Sequence, residues 1–210
     1  MENVNHVEEI VNEVVQQIRN QQRSFEVEAS GRHVHLSRKE IDALFGQGYQ
    51  LTKVKELSQP GQFVCKERIT VAGPNGLFQN VVILGPERTE SQVEVSMTDA
   101  RVLGIRVPVR ESGHIEGTPG VVLMNKEAVV QLTKGLIVAK RHIHMTPEDA
   151  AKNQVVNGQI VQVNIQGTRP LIFADVVVRV NPNFATYMNI DYDEANACGL
   201  SKGDRGYICK

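Results

Sequence analysis

A histidine pair with one residue between its members occurs twice in this chain, in Arg32-His33-Val34-His35-Leu36-Ser37 and in Arg141-His142-Ile143-His144-Met145-Thr146. Two copies of one device thereby take up four of the six histidines. In an extended segment, residues i and i+2 project from the same face, so each His-x-His aims two imidazoles at one point in space. That is the geometry of half a metal site. A single such pair on a strand is commonly a polar surface feature. Its duplication, with the flanking Arg, aliphatic and hydroxyl residues kept, favours metal ligation and a chain built of two related halves.

The repeat extends beyond the histidines. The run Glu94-Val95-Ser96-Met97-Thr98-Asp99-Ala100-Arg101-Val102-Leu103-Gly104-Ile105 aligns without a gap against Asn189-Ile190-Asp191-Tyr192-Asp193-Glu194-Ala195-Asn196-Ala197-Cys198-Gly199-Leu200. Each half therefore offers a third candidate ligand at an equivalent place, Glu94 in the first and Asn189 in the second. Two histidines and one carboxylate leave coordination positions open, as in a catalytic zinc site rather than a structural one. The second set is the poorer, because an amide oxygen is a weak ligand for a borderline-soft cation. Asp191 shares a face with Asn189 if the segment is extended, and is placed to assist directly or through water.

A second reading uses other carboxylates. His33-x-His35 followed by Glu40, and His142-x-His144 followed by Glu148, imitate the spacing of a cupin-like mononuclear metalloenzyme. Against it, Ser37-Arg38-Lys39-Glu40 and Thr146-Pro147-Glu148-Asp149 both read as a hydroxyl N-cap with an acid three residues on, the second with Pro at the first helical position. Helices are predicted to begin there, with Glu40 and Asp149 as capping acids turned away from the histidines.

Length and charge bound the rest. The 210 residues suit two halves of about 90 residues packed together, and a net charge of −1 without a basic run gives no nucleic-acid footprint. Few aromatic residues and no Trp remove base-stacking platforms. No apolar stretch approaches about 18 residues, and no signal peptide opens the chain, so no membrane partner and a cytoplasmic location are expected. Cys65, Cys198 and Cys209 are odd in number and widely spaced, which reads as reduced thiols.

Within residues 1–24, Val4, Val7, Ile10, Val11, Val14, Val15 and Ile18 recur at helical spacing among polar residues, predicting an amphipathic helix and linker. Its apolar stripe serves either its own domain or subunit partner, or as a docking tag for another protein. Short β-branched runs follow: Phe63-Val64, Ile69–Val71, Val81–Leu84, Val93–Val95, Ile105–Val109, Leu136–Ala139, Ile160–Ile165 and Val176–Val180. Gly73-Pro74-Asn75-Gly76 reads as a hairpin turn, and Asp99–Leu103 as a helical turn. The expected fold is mainly β, with two β-barrel domains related by internal duplication, residues 25–115 and 116–210, plus short helices and the N-terminal helix.

Four blocks in order carry a resemblance: Ser30–Ser37, Leu84–Ser96, Lys140–Pro147 and Asp191–Ala197. They are similar to the phosphate propanoyltransferases, the PduL-type phosphotransacylases of bacterial microcompartments, over about residues 25–209. The resemblance implies two β-barrel domains, a two-zinc site between them, and transfer of a short acyl group, propanoyl or acetyl, between coenzyme A and phosphate. By matching motif it gives His33, His35 and Glu94 to one zinc, His142 and His144 to the other, and Arg88 to the phosphate. The family's Met-His-Ile-Asp stands here as Met188-Asn189-Ile190-Asp191, so the second zinc is expected to bind more weakly than the first. The N-terminal helix is similar to segments that carry enzymes into microcompartment shells, which implies shell or cargo proteins as partners of residues 1–23. A homo-oligomer is also expected.

The chemistry required is consistent with these residues. Phosphate attack on a thioester needs an electrophile at the carbonyl and a guanidinium fork to hold phosphate in register. Arg88 supplies the fork, its alternative being an exposed ion pair with Glu87 or Glu90. Arg32 and Arg141 are candidates for phosphate or coenzyme A contact, with support of helix caps or barrel packing as the alternative. Cys65 has no neighbouring His and reads as a buried structural thiol. His6 and His114 read as solvated. A rival from another class is a catalytically weak paralogue kept as a microcompartment scaffold, motivated by Asn189 and the amphipathic helix.

Overall fold

The computed structural model of the chain describes residues 10–12, 14, 15, 18 and 23–209. Positions 10–12, 14, 15 and 18 are helical; the predicted N-terminal helix as a whole lies outside the described residues. The fold is mainly β, with short helices between the strands. In chain order the elements are β1 (Phe25–Ser30), β2 (His33–His35), α1 (Arg38–Phe45), β3 (Lys53–Glu56), β4 (Phe63–Ala72), β5 (Leu77–Gly85), β6 (Gln92–Glu94), α2 (Met97–Leu103), β7 (Val109–Arg110), β8 (Val122–Met124), β9 (Val129–Gln131) and β10 (Leu136–Ala139). Then follow β11 (His142–Met145), α3 (Pro147–Asn153), β12 (Ile160–Ile165), β13 (Leu171–Val180), β14 (Tyr187–Asp191), α4 (Tyr192–Cys198) and β15 (Arg205–Cys209).

These elements form two compact units, and the chain leaves and re-enters each. One unit holds Ala29–Lys140 and Ile190–Ala195; the other holds the chain up to Glu28, Arg141–Asn189 and the chain from Asn196. The first contains a mixed nine-stranded sheet in the order β7-β10-β6-β2-β5-β4-β8-β9, with β3 paired to β4. The second is built on a closed barrel, β1-β14-β11-β13-β12-β15. Residues 116–140, assigned to the second half from sequence, belong here to the first unit, because β8 pairs with β4 and β10 with β6. Conversely β1, at the start of the first half, closes the barrel through β15, with Phe25 opposite Gly206.

The duplication is visible in the pairing. Strand β2 runs parallel to β5 and antiparallel to β6, with His33 opposite Val82 and Glu94. Strand β11 runs parallel to β13 and antiparallel to β14, with His142 opposite Val177 and Asn189. Between the paired histidines, Val34 and Ile143 are fully buried, and Val34 belongs to the aliphatic core of its unit. Burial of these aliphatic residues pins the strand register, since a one-residue slip would send them to the histidine face. Gly73 and Gly76 close the β4–β5 hairpin through a 2.9 Å backbone bond. A Cβ on Gly73 would lie 2.2 Å from the Leu103 carbonyl oxygen, so only glycine allows this turn to lie against the end of α2.

One predicted strand is absent. Residues 105–108 are irregular and only Val109–Arg110 pair, with β10. Pro108 lacks the N–H that a ladder needs, although its carbonyl accepts from Val138 N–H at 3.0 Å. Ile105 N–H is drawn to the Ala100 carbonyl at the end of α2 instead.

The helices begin where the hydroxyl–acid pairs predicted, but the hydroxyls are used differently. Thr146 accepts from Asp149 N–H at 3.1 Å, and Ser96 with Asp99 forms a reciprocal capping box. Ser37 makes no such cap; its hydroxyl donates to the Glu40 carboxylate. A third hydroxyl completes the arrangement: Ser91 donates to Glu40 at 2.8 Å and accepts from Ser37 N–H at 2.8 Å. The second half repeats it, with Thr186 donating to Asp149 at 2.5 Å and accepting from Thr146 N–H at 3.3 Å. Each clasp ties the exit of a His-x-His strand to the chain three residues before Glu94 or Asn189. Replacing Ser91 by Ala strands a buried N–H and removes a hydroxyl donor from a buried carboxylate. Ser91→Ala is therefore expected to lose about 1–3 kcal/mol of stability, read as a lower urea midpoint. An unchanged midpoint would show that the clasp contributes nothing.

Candidate metal centre

The alternation of β2 sends the His33 and His35 side chains to one face, and the register with β6 sets Glu94 beside them. Their ligand atoms lie within 4.8 Å of one another, and among the described residues this is the one group of three or more His, Cys, Asp or Glu side chains so arranged. Glu94 Oε2 is 3.5 Å from His33 Nε2, and Oε1 is 4.0 Å from His35 Nε2. All three residues are buried.

Hydrogen bonds around the group orient it. His33 Nδ1–H donates to the Gly31 carbonyl at 2.8 Å, which turns Nε2 toward Glu94. Glu94 Oε1 accepts from Gln92 Nε2 at 2.6 Å and from the Ser112 hydroxyl at 2.9 Å. Gln92 is itself held, accepting from Gly113 N–H at 2.7 Å. His35 Nδ1 is buried without a well-formed hydrogen-bond partner among the described residues.

The charges are strongly coupled. Burial, then the neighbouring His33 and the Arg88 guanidinium, push the His35 imidazolium well below its ordinary pKa, so this ring is neutral with a lone pair to give. Burial also works against charge on His33, but the facing Glu94 outweighs it and the net direction is upward. Burial would likewise raise Glu94; the histidines and the Ser112 hydroxyl outweigh it and hold the carboxyl well below the usual carboxylate range. Two imidazoles and one ionised carboxylate, with outer partners for His33 and Glu94, form a donor set that fits a transition-metal cation with open positions.

Arg88 stands beside this group. Its backbone N–H bonds the Leu36 carbonyl at 2.9 Å, and Ser37 and Arg88 form an isolated parallel bridge, which fixes the residue to the exit of β2. Its Nη1 donates to Ser112 Oγ at 3.2 Å, so one hydroxyl touches both Arg88 and Glu94. A cavity of about 350 Å³ opens here, lined by His35, Arg88, Pro60, Gly61, Gln62, Gly85 and Pro86. A guanidinium and a neutral imidazole on one wall suit an oxyanion, with the prolines and glycines leaving room for an apolar group.

The other predicted residues fall as follows. His142 and His144 adjoin, ring centroids 4.6 Å apart, and Asn189 Nδ2 lies 3.2 Å from His144 Nδ1. Asn189 thus takes the register position of Glu94 but offers an amide nitrogen to the ring, and this donor set does not match the first. Asp191 caps α4, its Oδ1 accepting from Glu194 N–H at 2.9 Å. Arg32 holds Asp99 through Nη2 at 2.7 Å and Nε at 3.1 Å, and its guanidinium lies 4.1 Å over the Phe78 ring. Arg141 lies 5.5 Å over Phe173. Glu40 is taken by its clasp and Glu148 is exposed, so the cupin-like spacing does not assemble. Cys65 is buried, with burial pushing its thiol up to about 11, which leaves no thiolate nucleophile there.

Sequence reasoning missed Ser91, Gln92 and Ser112. Ser91 had a signal, since it and Thr186 stand at the same offset from Glu94 and Asn189. Ser112 lies on a loop between β7 and β8 with no partner in the repeat, and nothing local marks it.

Comparison with known proteins agrees with this geometry. The phosphate propanoyltransferase family model matches residues 26–201. The chain is similar to the phosphate propanoyltransferase of Enterococcus faecalis (strain ATCC 700802 / V583), at 78% identity over 211 residues and 100% of both chains. It is 66% identical to that of Listeria monocytogenes serovar 1/2a, covering 88% of this chain and 87% of the relative. With that of Thermotoga maritima the identity is 53%, over 87% of each chain. The matched span contains both His-x-His strands, Arg88 and Glu94, and the chain belongs to the phosphate propanoyltransferase family.

Proposed function

We propose that this enzyme transfers a short acyl group, propanoyl or acetyl, between coenzyme A and phosphate, using zinc held by His33, His35 and Glu94. The observation that carries the reading is Ser112, whose hydroxyl joins the carboxylate of the candidate metal-binding group to the Arg88 guanidinium at the same cavity. Bound zinc supplies a Lewis acid for the thioester carbonyl. The chain does the rest. Arg88 binds phosphate through its planar fork and offsets its charge. Ser112 holds that fork beside Glu94, and the Leu36 carbonyl holds the Arg88 backbone N–H. The reaction needs no acyl-enzyme: a phosphate oxygen attacks the thioester carbon, the C–S bond breaks, and the coenzyme A thiolate leaves and is protonated. The apolar part of the cavity, at Pro60, Pro86 and the intervening glycines, fits a short acyl chain.

The N-terminal segment is assigned a docking role toward microcompartment shell or cargo proteins. Its described apolar residues Ile10, Val11, Val14, Val15 and Ile18 are between 39% and 52% exposed, as a stripe awaiting a partner would be. No helix of the described residues is long and apolar enough to cross a membrane.

Phosphate-dependent thiol release from propanoyl-CoA tests the chemistry. His33→Ala and Glu94→Ala are each expected to lower turnover at least about 100-fold and to remove bound metal, since a donor is lost from a three-ligand site. Near-normal turnover in either variant would defeat the assignment. A metal-loaded wild type without phosphate-dependent release would favour a scaffold role. Arg88→Lys should raise KM for phosphate about tenfold while changing that for acyl-CoA little, because a point charge replaces a bidentate fork. Equal effects on both substrates would refute the role given to Arg88. Deleting residues 1–23 should leave kcat within about twofold and abolish co-sedimentation with shell proteins; unchanged co-sedimentation would end the docking proposal.

A further inference from the structure

The two halves present the same three positions in the same register and differ in what stands opposite the first histidine. Glu94 faces His33, whereas Asn189 faces His142. A neutral imidazole carries one N–H and one lone pair, so the hydrogen bond at one nitrogen decides what the other can offer. In the first half, the Gly31 carbonyl can only accept. It takes the Nδ1–H of His33 at 2.8 Å and leaves Nε2 with its lone pair. In the second half, the group against His144 Nδ1 is the amide nitrogen of Asn189, at 3.2 Å. An amide NH₂ only donates. His144 Nδ1 must then be the acceptor, its proton sits on Nε2, and the lone pair that a cation would need is already engaged.

We infer that Asn189 closes the second His-x-His pair to metal by fixing His144 as the Nε2–H tautomer, which makes this pair a hydrogen-bonded structural element in this chain. The edge of the arrangement is also apolar, with the Phe184 ring centroid 4.4 Å from that of His144. Of the three register positions, what is left for a cation is His142 and a neutral amide, a set that supplies no charge and a single strong ligand. Binding would first require the amide to rotate and present Oδ1, which would move the His144 proton to Nδ1 and free Nε2. Asn189 is therefore a positioning residue that acts through His144 and is not itself a ligand. The inference stands apart from the acyl-transfer reading and shares with it only the expectation of metal in the first half.

Two measurements on the full-length protein test it. Two-bond proton–nitrogen correlation on ¹⁵N-histidine-labelled protein, with His144 assigned by its loss in His144→Gln, reads the tautomer directly. Elemental analysis after zinc loading and desalting counts metal in the wild type, Asn189→Glu and His33→Ala. The expected results are an Nε2–H His144, and about one, two and no zinc ions per chain in those three proteins. An Nδ1–H tautomer, two ions in the wild type with one kept in His33→Ala, or a count unchanged in a folded Asn189→Glu would each overturn the inference. No ion in the wild type together with an Nε2–H His144 would support it while defeating the first-half metal assignment, so the two failures are distinguishable.

Discussion

The antiparallel register between β2 and β6 is the constraint on which the site depends. It places His33 opposite Glu94 and leaves Val34, on the other side of the strand, fully buried. The aliphatic core thus holds the ligand geometry: sliding β2 by one residue would turn Val34 to the ligand face and both imidazoles into the aliphatic core, where no carboxylate waits. Burying an ionisable trio costs desolvation, and here the charges offset one another, with Glu94 held ionised by its histidines and His35 held neutral by burial and Arg88. A pre-oriented, partly neutral donor set of this kind is ready for a cation without rearrangement.

From that register the remaining parts of the site follow by short connections. The clasp of Ser37, Glu40 and Ser91 ties the end of β2 to the approach of β6, and the Ser37–Arg88 bridge carries the guanidinium along with it. Gln92, one pleat from Glu94 on the same face, bonds the carboxylate and Ser112 together. Glu94, Arg88 and the Ser112 hydroxyl between them are therefore fixed to one another by two strands and a loop, as the acyl transfer proposed above demands.

Much of this was legible because it is local. His-x-His on a strand is a period-two statement, and the duplication identified Glu94 and Asn189 as counterparts before any pairing was known. The hydroxyl–acid pairs located the starts of α1 and α3, although the sequence could not show that the Ser37 hydroxyl turns to Glu40. What stayed hidden depends on partners distant in the chain. Residues 116–140 join the first unit, and β1 the second, through pairings with no local signature. The same holds for Ser112, whose importance arises only where its loop meets Arg88 and Glu94. Arg32 looked available for a ligand from its place beside His33, yet Asp99, brought close by α2, takes its fork.

The central claim is that a metal ion sits among His33, His35 and Glu94 and serves the acyl transfer. Crystals of active, zinc-loaded protein measured on both sides of the zinc absorption edge test it most directly. The account predicts an anomalous difference peak bonded to His33, His35 and Glu94, with Zn–N distances of about 2.0–2.1 Å. Active protein whose crystals show no peak at those three residues would contradict it.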